Sequence, residues 1–378
     1  PNPNPQVPLF FLFFCARIPC RRAGRGSSLD RRAEGTVPWK QKDSLPQPGG
    51  LFLPSEKGVC DMKNIHTVLG LLPVDQMGLT LAHEHICCGD WSMRANFGPR
   101  FCPEEELLAR AVDQVNRAKA AGVATIVDGT AINLGRDIHL LRQVSRLTGV
   151  NLVASSGFYD QDEPWLAGQS EAYLFDLLDG ECKYGIAGTD SRPGIMKCAV
   201  GSHGLTATRE KILRLTARVA VENHLPLFCH HEASTRLGPQ ILDLLCGEGM
   251  DPRRIILGHT GDSEDLDYIL SLLDRGCWIG QDRWPYDGRF NTVANRLQVM
   301  VELKKRGYLD QVIVSQDLCV YLGFWEPMAD TFAREALYEQ ADFTYLFQVV
   351  FPLLEQAGLT QAELRKLVTD NPQTFFAQ

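Results

Sequence analysis

From Ile65 onward the chain repeats one pattern: a short apolar, β-branched run, a few polar residues, then an amphipathic stretch of helical period. Eight runs have this character, at residues 79–87, 124–130, 151–159, 194–201, 225–232, 255–262, 278–284 and 312–319. The stretches between them predict helices, among them 104–121, 136–148, 208–223, 238–248, 263–275 and 291–306. Strands alternating with helices predict an α/β fold with a parallel sheet, and eight units is the number that closes a (β/α)8 TIM barrel. An open doubly wound sheet is the alternative, disfavoured because no Gly-rich phosphate turn follows an early strand. Near the carboxyl terminus, 341–357 predicts the last crossover helix. Thr360 with Glu363 then forms a capping box that starts an extra C-terminal helix, running to the Asn371-Pro372 break.

Residues 1–61 do not share the pattern. A Pro/Asn opening leads to an apolar run over 7–15, then Arg21, Arg22, Arg25, Arg31 and Arg32 among Gly and Ser. The run is too short to span a membrane, and it lacks the charged flank and small-residue cleavage pattern of a signal peptide. Met62 directly precedes the first ordered-looking segment. The expected division is a disordered or non-native extension over 1–61 and a barrel domain over 62–378.

Composition narrows the partners. With 44% hydrophobic and 22% charged residues the chain reads as globular, and its net charge of -8 disfavours nucleic acid. No basic cluster with interleaved aromatics follows residue 40, so neither a phosphate-tracking groove nor a membrane surface is implied. Cysteines such as Cys198, Cys229, Cys277 and Cys319 sit in apolar strand-like runs without disulfide or zinc-type spacing, and read as reduced core thiols of a cytoplasmic protein. The Cys87-Cys88 pair reads as packing.

The candidate chemistry begins in Leu-Thr-Leu-Ala-His-Glu-His. On a strand His83 and His85 project the same way and Glu84 the opposite way, so two imidazoles converge on one point. In a barrel the functional residues collect at the carboxyl ends of strands, where this sequence also places Lys197, His230, His259 and Asp317. His231 must face away from His230, while His66, His139, His203 and His224 are weaker candidates for ligands. Lys197 is the anomaly: a cation inside an apolar strand, offering no lone pair to a metal, must be neutralised or modified.

These residues resemble the phosphotriesterase-like branch of the metal-dependent amidohydrolases, from about Gly70 to the carboxyl terminus. The likeness is carried in order by LTLAHEH, SSGFY, GIMKCAV, HHEASTR, RIILGHTGDSEDLDYI, GQDRW, VIVSQDLC and DNPQTFF. It implies two divalent metal ions, zinc foremost with cobalt, manganese or iron as alternatives, bridged by a carboxylated Lys197. One ion would take His83, His85 and Asp317, the other His230 and His259. Such ions lower the pKa of a bridging water, and Asp317 would accept a proton on attack and deliver it to the leaving group.

The resemblance extends to lactonases, and with them to a small-molecule lactone or ester substrate and a homodimer. There Tyr159 stands where an aromatic packs near the ring and could bond the metal-bound oxygen, Arg283 follows strand seven, and Cys319 lies two residues past Asp317. Wall packing for Tyr159 and Cys319, and an Asp282 salt bridge for Arg283, are the alternatives. Two departures leave the substrate open: Trp284-Pro285-Tyr286-Asp287-Gly288 replaces a Phe-Gly-Leu turn, and Gln316 stands before the metal Asp. Residues 320–339, with Tyr321, Phe324, Trp325 and Phe332, read as an apolar lid suited to an acyl or aryl tail.

The expected function is hydrolysis chiefly of lactones, with side activity on organophosphate triesters. A primary phosphotriesterase or other carboxylic ester hydrolase is the alternative, and a barrel that binds without turnover the non-enzymatic one. Because the composition of residues 1–61 cannot build a core, a chain starting at Met62 should match the full chain in thermal unfolding and hydrolysis. Loss of folding on that truncation would make the segment integral to the barrel.

Overall fold

A hairpin of β1 (Asn64–Thr67) and β2 (Gly70–Pro73) precedes nine parallel strands. These are β3 (Leu79–Gly89), β4 (Val123–Asp128), β5 (Asn151–Gly157), β6 (Ile195–Val200), β7 (Leu227–His231), β8 (Ile255–Gly258), β9 (Trp278–Gln281), β10 (Val312–Val314) and β11 (Cys319–Gly323). The computed structural model describes residues 63–323 and 341–378. The extension over 1–61 and most of the expected lid, Phe324, Trp325 and Phe332 included, lie outside the described residues. No helix among the described residues is long and apolar enough to cross a membrane.

Neighbours run β10-β9-β8-β7-β6-β5-β4-β3-β11. All eight expected runs contain a strand, but the eighth is two strands broken at residues 315–318. The break is what closes the barrel. On one side Val312 pairs with Ile279 of β9, and Ser315 N still donates to Gln281 O. On the other, Asp317 N donates to His83 O at 3.1 Å, His85 N donates to Leu318 O at 2.8 Å, and β11 continues in register with β3.

Glu84 holds that crossing. Its buried carboxylate accepts from Ser315 Oγ at 2.8 Å, Gln316 N at 3.0 Å and Leu318 N at 2.9 Å. The two faces read from His-Glu-His thus have separate work: the imidazoles point inward and the carboxylate ties the seam. Burial pushes the Glu84 carboxyl up to about 8, against the pull of those donors.

The interior is layered. Val127, Val153, Ile195, Phe228, Ile256, Trp278 and Ile313 contribute one apolar side chain per strand, packed below against Ile65, Val74 and Met77 and against Phe375 and Phe376. Two residues further along their strands come Lys197 after Ile195 and His230 after Phe228. The polar layer therefore stands directly on the apolar one.

The crossover helices include Glu104–Ala120, Ile138–Thr148, Ala207–Glu222, Gly238–Gly247, Leu266–Leu273 and Val293–Arg306. A further one over Glu171–Tyr184 was not among the predicted stretches; Gly180 interrupts its period, and Ser170 caps it by accepting from Tyr173 N. The expected helix over 341–357 begins later, as a π turn over Leu346–Val350 that continues to Gln356. The Thr360 capping box starts Gln361–Val368, but the break falls at Thr369 rather than at Asn371-Pro372. Pro372 instead enters the first turn of a second helix, Asp370–Phe376, where its missing N–H costs nothing. Asn371 then donates to Leu309 O and Val312 O, both at 2.7 Å, fixing the start of β10.

Replacing Glu84 by Ala orphans a hydroxyl and two backbone N–H groups at the seam, and should lower unfolding free energy by about 3–5 kcal/mol. Urea titration of metal-free protein is the measurement, since it separates this loss from any loss of bound metal. A change under about 1 kcal/mol would show that the seam closes without Glu84.

Candidate metal centre

His83, His85, Lys197, His230, His259 and Asp317 all reach the mouth of the barrel. The ligand atoms of His83, His85 and Asp317 lie within 4.8 Å of one another. His85 Nε2 is 3.1 Å and His83 Nε2 3.6 Å from Asp317 Oδ1, and Lys197 Nζ is 2.9 Å from His83 Nε2. The His230 and His259 rings complete the cluster, with centroids 4.5 Å apart.

A second group, His83, His259 and Asp282, is equally close, but its chemistry is support rather than ligation. Asp282 accepts from His83 Nδ1 at 3.0 Å, His259 N at 2.9 Å and His259 Nδ1 at 3.2 Å. Those bonds fix the protons on Nδ1 and leave both Nε2 lone pairs for the centre. His259 Nε2 is buried without a hydrogen-bond partner. His85 follows the same plan, its Nδ1 meeting Thr130 Oγ1 at 2.9 Å. A buried orphaned nitrogen, further buried imidazoles and a carboxylate beside them are a donor set that fits transition-metal ions.

Residues 63–376 match the Phosphotriesterase family. The chain belongs to that family. Among relatives, the Aryldialkylphosphatase of Saccharolobus solfataricus is 34% identical over 80% of this chain and 95% of its own length. The Phosphotriesterase homology protein of Mycobacterium tuberculosis is 29% identical over 83% and 98% respectively. The N-acetyltaurine hydrolase of Tetraodon nigroviridis is 23% identical over 82% and 97%. The family comprises binuclear metal-dependent hydrolases, and the His/Asp groups of this barrel could hold such ions.

The family site is electrostatically prepared. Burial, followed by the Lys197 charge, lowers His83 to about 3, and burial holds His230 well below the usual imidazole range. Both are therefore neutral, as ligands must be. Burial likewise lowers Lys197 to about 8, with its Nζ 4.0 Å over the Phe228 ring. For Asp317 burial opposes the charge, yet the Arg283 guanidinium and the hydrogen bond to His85 hold the carboxyl well below the ordinary range.

Arg283 does not take the dull alternative of an Asp282 partner. Its Nε donates to Asp317 Oδ2 at 2.8 Å and its terminal nitrogen to Asp262 Oδ2 at 2.9 Å. Arg296 balances Asp262 from behind at 2.7 Å. Tyr159 Oη lies 3.3 Å from His230 Nδ1, so this hydroxyl bonds a candidate ligand. Cys319 is buried with its Sγ 3.5 Å from Cys88 Sγ; both thiols line a cavity of about 270 Å3 above the centre, as does Leu322. The cysteines among the described residues are free thiols.

Both departures from the family pattern have structural uses. Gln316 points away from the cavity, accepting from Leu346 N at 3.0 Å and donating to Phe343 O at 3.3 Å, so it anchors the last crossover helix. Tyr286 turns its hydroxyl onto Asp317 O at 2.8 Å and steadies a residue held at φ +55°. Among the other histidines, His231 is structural, bonded to Gly258 O and Tyr268 Oη. His203 is exposed on a loop, as are His139 and His224 on theirs or on helices, and His66 lies in the first hairpin.

Sequence reasoning missed Asp282, Asp262, Thr130 and Tyr286. Asp282 alone carried a signal, standing four residues past Trp278 and thus on the same strand face. Asp282→Ala should weaken metal affinity by about 10–100-fold while the barrel still folds. Competition with a chromogenic chelator, alongside circular dichroism, checks it; unchanged affinity would reduce Asp282 to a packing role.

Proposed function

We propose that this chain is a binuclear metal hydrolase that opens lactone rings, with aryl phosphotriesters as slower side substrates. The reading is carried by one observation: neutral imidazoles, an ionised Asp317 and a buried Lys197 converge beneath a cavity walled partly by Leu134, Cys88, Cys319 and Leu322. Zinc is the ion this donor set suits best, cobalt, manganese and iron following. His83, His85 and Asp317 would hold one ion, His230 and His259 the other, and a carbamate on Lys197 both. When bound, such ions activate water and polarise the oxygen of the bond attacked.

The chain's own groups supply the remainder. A lysine lowered to about 8 keeps a neutral fraction near physiological pH, and only the neutral amine adds carbon dioxide, releasing a proton as the carbamate forms. That fraction grows as pH rises through 8. Asp317 would accept the proton of the attacking water and return it to the leaving oxygen. Arg283 and Tyr286 hold it by carboxylate and carbonyl. The apolar wall excludes water and suits an acyl chain.

The test is a panel on metal-loaded protein: an N-acyl-homoserine lactone, an aryl dialkyl phosphate and an N-acyl amide, the last two chosen from the names of the relatives. The lactone should lead in kcat/KM by about tenfold or more. Faster turnover of either other class would replace the lactone assignment. Lys197→Ala should lose at least about 100-fold in activity together with its metal, and regain part with acetate or propionate. Lys197→Arg should not be rescued, since guanidinium keeps its charge and fills the space. Full metal content and near-normal turnover in Lys197→Ala without additive would end the bridging role.

A further inference from the structure

The cavity above the centre does not end at its own wall. Tyr159, Asp160 and Gly201 line both it and a second cavity of about 740 Å3, so Asp160 stands at their junction. Its half-buried carboxylate makes no hydrogen bond or ion pair to another described residue. A Cβ on Gly201 would stand 2.0 Å from Asp160 Oδ2, so the carboxylate is seated against bare backbone, in space that only glycine leaves.

The neighbouring charges do not answer it. Arg209 and His203 lie within its field, but the Arg209 guanidinium is taken up by Asp162 and by the carbonyls of Tyr159 and Gln161. Arg283 is held between Asp317 and Asp262. Of the other acids of the second cavity, Asp90 accepts from Met93 N and Ser92 Oγ, and Asp162 from Arg209 and Thr206, while Glu163 lines the second cavity alone and stands away from the junction. Among the described residues Asp160 has no such side-chain partner, only its own backbone N–H and the field of an Arg209 already engaged elsewhere. A carboxylate drawn half out of water on those terms recovers only part of its lost solvation. A ligand that brings a positive charge restores the balance, and one of equal shape without the charge does not.

We propose that Asp160 selects substrates carrying an ammonium group on the portion that lies across the junction of the two cavities. The inference rests on the reading of the first cavity as the substrate site. It concerns the part of the substrate remote from the bond broken, which the ligands below leave unspecified.

Choline and 3,3-dimethylbutan-1-ol are isosteric alcohols that differ in charge alone, and neither titrates near neutrality. Calorimetric titration of the metal-loaded full chain should show choline binding at least about tenfold tighter, at low salt where the charge is least screened. In Asp160→Asn the preference should fall to within about threefold, while the neutral alcohol binds as before, which also reports an intact fold. Asp160→Glu, which keeps the charge, should retain a preference for choline. Equal affinities in the wild type, or an unchanged preference in Asp160→Asn, would overturn the assignment. The result is separable from the lactone reading: a choline preference without lactone turnover discards lactones and keeps Asp160, and lactone turnover without the preference does the reverse.

Discussion

The mouth of this barrel depends on the Glu84 carboxylate. A closed parallel sheet needs its last strand to bond both neighbours, yet the chain here must also deliver Asp317 into the centre in a left-handed conformation, which a regular ladder cannot accommodate. The solution is to interrupt the strand for four residues and hand two of their N–H groups, those of Gln316 and Leu318, to a side chain from β3. Those donors are buried, so without an acceptor each would cost stability outright. Closure of the fold and placement of a candidate ligand are consequently one interaction.

Charge at the centre is arranged in the same economical way. Two carboxylates, Asp282 and Asp317, face buried imidazoles and Lys197, with Arg283 and Arg296 balancing Asp317 and Asp262 from outside. Pairs of this kind add little net stability, because desolvation offsets attraction; what they fix is geometry and protonation state. Asp282 shows the point, since its bonds decide which nitrogen of His83 and His259 is left to a metal.

The barrel was legible because each β/α unit repeats a short-range pattern of apolar alternation, and burial enforces it. The candidate ligands were legible because they end those same strands, and His83 and His85 share a face by simple alternation. Asp262, Thr130 and Tyr286 were not, since their roles arise from contacts between residues far apart in sequence, set by loop conformation rather than by period. Gln316 was misjudged for the same reason: its place beside Asp317 drew attention to the substrate, while the backbone of the break turned its side chain toward Phe343 and Leu346. The split of the eighth strand is a further case, for the polar Ser315-Gln316-Asp317 within the run reads equally as the polar end of one strand and gives no sign of a backbone that changes partners there.

Adjacent positions on β3 serve opposite sides: His83 and His85 face the chemistry, Glu84 the architecture. The two tasks are interleaved at a spacing of one residue, so they cannot be separated by any change in chain length. A substitution at one position leaves the neighbouring side chains on their own faces, whereas a single inserted or deleted residue exchanges the faces. The length between Leu81 and Gly89 therefore decides which side of the sheet each side chain serves.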